Sequence, residues 1–201
     1  FDYYDYLLSI LPEEEKTQDN KTDTRVWLYA PGENARFWDE CVANGKMYLG
    51  WDPLGDLSKY ASREKKEEKM KEVYGADKSY TNDSLSTYDF VYTMKPGDIV
   101  YVKKGMHKII GRGVVAGGFE YDAGRKEYKN TRNVEWQNNG EWNVESQLVM
   151  KTLTDITKYP DLVASLQSLI DGATIEVKDE PTDAPSGFWW LNANPKYWSM
   201  S

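Results

Sequence analysis

Two short apolar runs flank a polar turn near the middle of the chain. Ile99–Val102 and Ile109–Val115 lie on either side of the polar segment Lys103–Lys108, and a Pro-Gly pair precedes the first run. β-Branched residues with a period of two, bounded by Gly and Pro, predict a hairpin of two strands. Gly111 and Gly113 interrupt the second run, which indicates a bulge, a bend or the close approach of another backbone or a ligand.

The same patterns predict an α+β fold around this hairpin. Short apolar runs predict further strands at Val26–Ala30, Met47–Trp51, Tyr128–Trp136 and Glu141–Val144. Apolar positions at helical spacing predict helices at Phe1–Leu11, Asn34–Asn44, Ser62–Tyr74, Asn82–Met94 and Asp161–Ile170. The tripeptide Asn138-Asn139-Gly140 predicts a hairpin turn between the last two strands.

Shifts in composition divide the chain into four parts. Residues 1–24 combine the first predicted helix with an acidic linker, residues 25–172 form the main domain, and residues 173–187 are an acidic linker that contains Pro. Residues 188–201 begin a new apolar segment, in which Trp190-Leu191-Asn192-Ala193 resembles Trp27-Leu28-Tyr29-Ala30. This match is either a chance similarity or the start of a second similar module, and the segment could also be a docking tail.

Composition narrows the class of protein. The chain of 201 residues can hold one good-sized domain. Its mean hydropathy is −0.74, and no apolar run approaches the roughly 18 residues that would span a bilayer. No signal peptide is visible, and the single cysteine, Cys41, fits a cytoplasmic location. One His and one Cys exclude the usual zinc sites, so we expect neither a metal nor another cofactor.

Charge and aromatic content bear on possible partners. The formal net charge of −8 argues against a general nucleic-acid coat but permits a local basic patch. The segment Asp98–Arg112 carries four basic residues against one acidic residue, and they form either a phosphate-binding patch or a solvated turn. The chain also holds eight Trp and fifteen Tyr, more than a core of this size requires, and aromatic side chains commonly stack on bases.

The motifs of common active sites are missing from the sequence. It contains no phosphate-binding loop, no nucleophile elbow and no Cys/His pair at motif spacing. Asp52 and Asp56 are close in sequence, but such pairs in loops are usually surface or capping residues. An enzyme is therefore the least expected class, and a binding module is favoured.

Four segments carry a resemblance to a known family. VWLYAPGENARFWDE, MYLGWDPLGDLSKY, MKPGDIVYVKKGMHKIIGRGVV and VMKTLTDITKYPDLV resemble EVE-type modules of the PUA-like superfamily, above all the module that accompanies McrB-type AAA+ restriction GTPases. FWWLNANPKYWSM, which begins at Phe188, resembles the opening of another such module. The resemblance covers roughly Arg25–Ile170 and Phe188–Ser201, and it implies a curved β-barrel surrounded by helices.

The resemblance also implies a pocket that holds a flipped, modified base between aromatic side chains. Its cage tryptophan corresponds to Trp51, at a predicted strand end, where the alternative is a rim residue that covers the barrel. The implied base-binding residues are Trp51, Tyr29, Phe119, Tyr121 and Asp52. The implied phosphate-binding residues are Lys103, Lys104, His107, Lys108 and Arg112.

These expectations define a non-catalytic module of a McrB-like, modification-dependent restriction system that binds modified DNA. The resemblance places the AAA+ GTPase in further domains of the same chain and the nuclease in a partner subunit. Two alternatives stay open. One is a module that binds modified RNA, and the other is a protein-interaction or assembly module that binds no nucleic acid.

Overall fold

The structure is a computed structural model that describes residues 24–172. Along the chain it contains β1 (Val26–Tyr29), α1 (Trp38–Asn44), β2 (Lys46–Leu49), α2 (Arg63–Tyr74), α3 (Thr81–Tyr88), β3 (Ile99–Lys104), β4 (Lys108–Tyr121), β5 (Asn130–Asn143), β6 (Leu153–Asp155) and α4 (Pro160–Ile170). The expectations for residues 1–23 and 173–201 lie outside the described residues.

The six strands form one sheet in the order β2-β5-β4-β3-β1-β6. β1 runs parallel to β3, and the other neighbouring strands are antiparallel. The two longest strands, β4 and β5, pair along their length with three register shifts, and such bulges bend a sheet. The sheet curls into a half-barrel, so the predicted α+β class with a curved sheet is confirmed at this level.

Alternation along β1 divides the core into two clusters. Trp27 and Tyr29 belong to the larger cluster inside the curl, and Val26 and Leu28 belong to a smaller one. α4 covers the smaller cluster and contributes the buried Leu166. Because both faces of β1 are covered, all four of its residues are buried, and the strand appears in the sequence as a continuous apolar run.

The hydroxyl of Tyr29 connects β1 to β2, which forms one edge of the sheet. It donates to the carbonyl oxygen of Tyr48 at 2.6 Å and accepts from the amide of Tyr48 at 3.0 Å. Tyr29 is fully buried, and burial raises its pKa well above the ordinary value of 10.0. The expectation that Tyr29 forms a wall of an open base cage is therefore wrong, because its ring lies inside the protein and its hydroxyl bridges two strands.

The turn before β3 is fixed by the carboxylate of Asp98, which is completely buried. It accepts hydrogen bonds from the Trp27 indole at 2.8 Å, the Arg25 amide at 3.0 Å and the Lys95 amide at 3.1 Å. Burial without such partners would leave a costly unsatisfied charge. Asp98 therefore joins the start of β1 to the loop that leads into β3.

The predicted hairpin turn at Asn138-Asn139-Gly140 is wrong, because β5 continues through it. Asn138 pairs with Arg112 and Asn139 pairs with Gly111 in the β4–β5 ladder. The glycine here serves packing, since a Cβ atom on Gly140 would lie 2.8 Å from the Trp142 ring. Long-range pairing with β4 therefore overrides a local turn signal.

The predicted helix Asn82–Met94 is in fact α3 followed by a wider turn, Asp89–Thr93, that has π-helical geometry. The buried guanidinium of Arg132 satisfies this turn by donating to the carbonyl oxygens of Phe90 at 2.6 Å and Val91 at 3.0 Å. Burial lowers the pKa of Arg132 to about 10. A third bond, to the Gly117 carbonyl at 3.0 Å, connects the turn to β4.

A buried lysine on α2 predicts a specific pH dependence of stability. Lys66 is fully buried, and its ammonium donates to the Leu57 carbonyl at 2.5 Å, with Tyr60 and Tyr92 facing it. Burial lowers its pKa from 10.5 to about 8, and the charge of Asp56 opposes that shift only in part. Between these two values the unfolded chain retains a proton that the folded chain has lost, so stability rises with pH.

We expect the free energy of unfolding of wild type, relative to Lys66→Met, to increase from pH 7 to pH 10. The limiting slope is about 1.4 kcal/mol per pH unit, and urea unfolding at several pH values measures it. Lys65, the exposed neighbour of Lys66, provides the control. The free energy of unfolding of Lys65→Met should change with pH in the same way as that of wild type. Cys41, with a pKa raised to about 12 by burial, is present in all three proteins, so its titration cancels. Parallel curves for all three proteins would contradict the prediction.

Candidate nucleobase-binding cleft

An open cleft of about 420 Å³ lies between the segment that follows β1 and the paired strands β4 and β5. We call it the Trp38 cleft. Its lining is mostly polar and consists of Asn34, Ala35, Arg36, Trp38, Asp39, Lys104, Ile110, Asn139, Gly140 and Glu141. Among residues 24–172, Trp38 is the only aromatic side chain in this lining.

One wall of the cleft has an unusual backbone. β1 ends at Tyr29, and Asn34 and Ala35 then adopt left-handed conformations with φ of 51° and 59°. Asn tolerates this region better than most residues, whereas Ala gains nothing from it. Two successive left-handed residues let the chain leave the sheet, turn and begin α1 at Trp38. Such strained positions concentrate at functional sites.

The indole of Trp38 forms the floor of the cleft against β4 and β5. A Cβ atom on Gly111 would lie 2.3 Å from the Trp38 ring, so only glycine permits this contact. The ring also meets Trp136 edge to face, with centroids 4.9 Å apart. Its Nε1–H donates to Oδ1 of Asn139 at 3.0 Å. The sequence predicted a close approach of another group at Gly111, and that group is the aromatic ring of Trp38.

Charges of both signs surround the cleft. Arg36 is exposed, pairs with Glu127, and stacks over the Phe37 ring at 4.4 Å. Lys104 lies 3.5 Å from Glu141, which also pairs with Lys108 at 2.8 Å. The ammonium of Lys108 is the main cause of the lowered pKa of Glu141. At 3.5 Å the contact of Lys104 is long for a hydrogen bond, so this ammonium can turn toward an anion at the rim.

The predicted phosphate-binding residues are dispersed, and only Lys104 lines the cleft. Lys103 is buried and donates to the Val149 carbonyl at 2.6 Å, and burial lowers its pKa to about 8. The expectation that Lys103 contacts phosphate is therefore wrong, since the alternation of β3 directs it away from Lys104. His107 is exposed in the β3–β4 turn, and Arg112 bonds Gln137 while its guanidinium lies 6.0 Å from the centroid of the Tyr101 ring.

None of the predicted base-binding residues lines the Trp38 cleft. Trp51 is half-buried, adopts φ of 72°, and packs edge-on against Tyr74 with centroids 5.5 Å apart. Phe119 packs edge-on against Phe90 at 6.3 Å, and Tyr121 is half-buried at the end of β4. A base-binding role for Trp51, Phe119 or Tyr121 stays a prediction.

The carboxylate of Asp52 has a structural task. It accepts hydrogen bonds from the backbone amides of Tyr128 at 2.7 Å and Lys129 at 2.9 Å. Tyr128 has φ of 53°, so Asp52 stabilises a strained segment immediately before β5. The two oxygens are thereby engaged, and the expected contact of Asp52 with a base finds no support in this geometry.

The four non-glycine residues with positive φ in the described part of the chain are Asn34, Ala35, Trp51 and Tyr128. Contacts between aromatic rings link the segment around Asn34 and Ala35 to Tyr128. The rings of Phe37 and Tyr128 have centroids 4.2 Å apart, and the Arg36 guanidinium lies over both. Gly50, next to Trp51, would place a Cβ atom 3.3 Å from the Tyr128 ring. Asn34 and Ala35 line the cleft, and Arg36, which also lines it, connects the cleft to Tyr128.

Fold and site together define a small α+β domain with a half-barrel sheet and an open polar cleft. The chain belongs to the family described as Domain of unknown function (DUF8426), whose model matches residues 27–160. No curated protein matches the chain. No helix in the described range 24–172 is both long and apolar enough to cross a membrane.

Proposed function

We propose that this chain is a binding module that recognises a modified nucleobase in DNA and holds the flipped base in the Trp38 cleft. The single observation that carries the proposal is the composition of the cleft. One indole lies beside two amide side chains, Asn34 and Asn139, with two cations, Arg36 and Lys104, at the rim. The curled sheet supports the PUA-like likeness of the sequence, and the volume of about 420 Å³ falls in the range of small-ligand sites.

Extruding a base costs a few kcal/mol of stacking and pairing, and stacking on an accessible aromatic ring returns about 1–3 kcal/mol. Trp38 is 8% exposed, so it can return only part of that energy. A methyl group on the base adds only about 0.8 kcal/mol through burial. Most discrimination must therefore come from shape and from hydrogen bonds to the base edge. Amide side chains supply such bonds, which is why the two asparagines matter to the proposal.

Electrostatics sets the conditions under which binding is strong. The net charge of −8 repels DNA at long range. Arg36 and Lys104 contact phosphates beside the flipped base in this proposal, and their ion pairs with Glu127 and Glu141 exchange for phosphate contacts. Two phosphate contacts give a shallow salt dependence, with a slope of log K against log salt near −2. The GTPase and nuclease of the proposed restriction system are supplied by other domains or subunits.

Fluorescence anisotropy with short duplexes tests the proposal. The panel carries modified cytosine, modified adenine or neither, at two salt concentrations. Asp39 is exposed on the cleft wall, so Asp39→Phe fills the mouth without disturbing the core. We expect wild type to bind one modified duplex and Asp39→Phe to bind it at least tenfold more weakly. Glu68→Phe, an equally exposed change on α2, should bind like wild type.

Trp51→Ala separates this site from the cage predicted by the resemblance. Loss of binding in Trp51→Ala with an unchanged circular dichroism spectrum, and normal binding by Asp39→Phe, would overturn the cleft and support the cage. Preferential binding of RNA of the same sequence would overturn the DNA assignment. Absence of binding to every duplex at low salt would overturn the proposed function and favour an assembly module.

A further inference from the structure

The amide of Asn139 is fixed in one orientation by its neighbour. An indole N–H can only donate a hydrogen bond, so the atom of Asn139 that faces Trp38 Nε1 at 3.0 Å must be the oxygen. Trp38 is itself immobilised between Gly111 and Trp136. The amide therefore cannot exchange its oxygen and nitrogen without losing this bond.

This orientation determines what Asn139 offers to a ligand. Its Nδ2 makes no hydrogen bond to any residue in the range 24–172, and the side chain is exposed in the lining of the cleft. With one lone pair of the oxygen occupied by the indole, the side chain offers a ligand the two donors of its NH₂ and a single remaining acceptor site. A free asparagine pairs equally well with donors and acceptors, whereas this one is biased toward acceptors.

Resting on the proposed function, we infer that Asn139 is the specificity-determining residue of the cleft and selects a base edge rich in acceptors. A carbonyl oxygen beside an unprotonated ring nitrogen, as on the O2/N3 side of cytosine, fits this donor group. An exocyclic amino group at this position, N6 of adenine or N4 of cytosine, meets a second donor and is disfavoured. Trp38 acts as a positioning residue, because it sets the polarity of the Asn139 amide.

Asn139→Asp is the decisive variant, because it keeps the oxygen that accepts from Trp38 and replaces the NH₂ with an acceptor. The probes are two duplexes of one sequence context, one with modified cytosine and one with modified adenine, and the readout is the ratio of their dissociation constants. We expect Asn139→Asp to weaken the cytosine probe by about ten- to one-hundredfold and to lower the preference for it. Asn138→Asp makes the same charge change at the adjacent residue and should leave the ratio unchanged.

Trp38→Phe gives a second test, in which the measured quantity is again the preference between the two probes. A purely structural role of Trp38 would leave this preference unchanged. Without the indole N–H the amide can rotate, so the preference between the two probes should fall toward one. Equal weakening of both probes would show that Trp38 only supports the fold and would overturn its positioning role. If wild type binds and Asp39→Phe does not, yet Asn139→Asp keeps the wild-type ratio, the inference on Asn139 is wrong and the proposed function stands. If wild type binds neither probe, the proposed function itself fails.

Discussion

Replacing Gly111 with alanine is expected to lower the free energy of unfolding by about 2–3 kcal/mol, the upper part of the usual range for overpacking a core. The added Cβ atom would lie 2.3 and 2.4 Å from two atoms of the Trp38 ring and 3.1 Å from the Asn138 carbonyl oxygen. The ring cannot withdraw easily, because Trp136 packs against it. Its displacement would also break the hydrogen bond to Asn139, so the base binding that we propose should weaken together with stability.

Gly118→Ala in the same strand is the matched control. Within residues 24–172, no atom outside its chain neighbours lies within 4 Å of a Cβ atom at Gly118, and its φ is not positive. We expect this substitution to change stability by less than about 0.5 kcal/mol. Urea unfolding followed by tryptophan fluorescence measures both variants. Similar stabilities for Gly111→Ala and Gly118→Ala would show that the Trp38 ring adapts, and the account of the cleft floor would then be wrong.

The hairpin glycines illustrate how far the sequence could lead. A glycine within an apolar run indicates the close approach of another group. This prediction is confirmed, because the Trp38 ring lies against Gly111 and the Trp136 ring lies against Gly113. The sequence does not reveal what approaches, because Trp38 and Trp136 are distant from these glycines along the chain. The same limit explains the wrong turn prediction at Asn138–Gly140, because β5 continues through this segment. Gly140 is required there because the Trp142 ring packs against it, and not because the chain turns.

The helices show a second limit. The buried side chains of α3 are polar, namely Ser84, Ser86 and Thr87, whereas the helix Asn82–Met94 was predicted from apolar positions, which include Tyr92. Tyr92 is 43% exposed. Ser86 is buried because its hydroxyl donates to the Leu153 carbonyl at 3.0 Å, which satisfies a strand at the edge of the sheet. A hydrophobic pattern cannot identify a face that is buried through hydrogen bonds.

The candidate site is the part of the molecule that the sequence predicts least well. Basic residues at successive positions of a strand point to opposite faces, so Lys103 and Lys104 could not both serve one patch. The sequence placed both lysines in the polar turn, and the alternation applies to them because β3 extends to Lys104. The left-handed conformation of Asn34 and Ala35 and the partnership of Trp38 with Asn139 depend on tertiary contacts. The one local signal for this wall was Asn34 shortly after Pro31-Gly32, a composition typical of tight turns.

Replacing Asp98 with asparagine is expected to destabilise the domain by about 3–5 kcal/mol, since it breaks a buried network around a charge. Three donors point at the two carboxylate oxygens: the indole of Trp27 and the amides of Arg25 and Lys95. An asparagine retains one acceptor and directs an NH₂ group at the donors of the lost oxygen. The donors that lose their acceptor are then unsatisfied, at about 1–3 kcal/mol each.

The destabilisation caused by Asp98→Asn should be local: one edge of the sheet should open more readily, while the rest of the sheet keeps its stability. Asp98 connects the start of β1 to the loop before β3, and β1, which pairs with β3, is the strand through which β6 is attached to the sheet. Hydrogen exchange of the Asp98→Asn protein should therefore increase first in β1 and β6, while the β4–β5 ladder stays protected. Asp77→Asn, at an exposed position, should show neither change. Uniform acceleration across all six strands would indicate that the sheet unfolds as one unit and would contradict the idea that this carboxylate secures one edge of it.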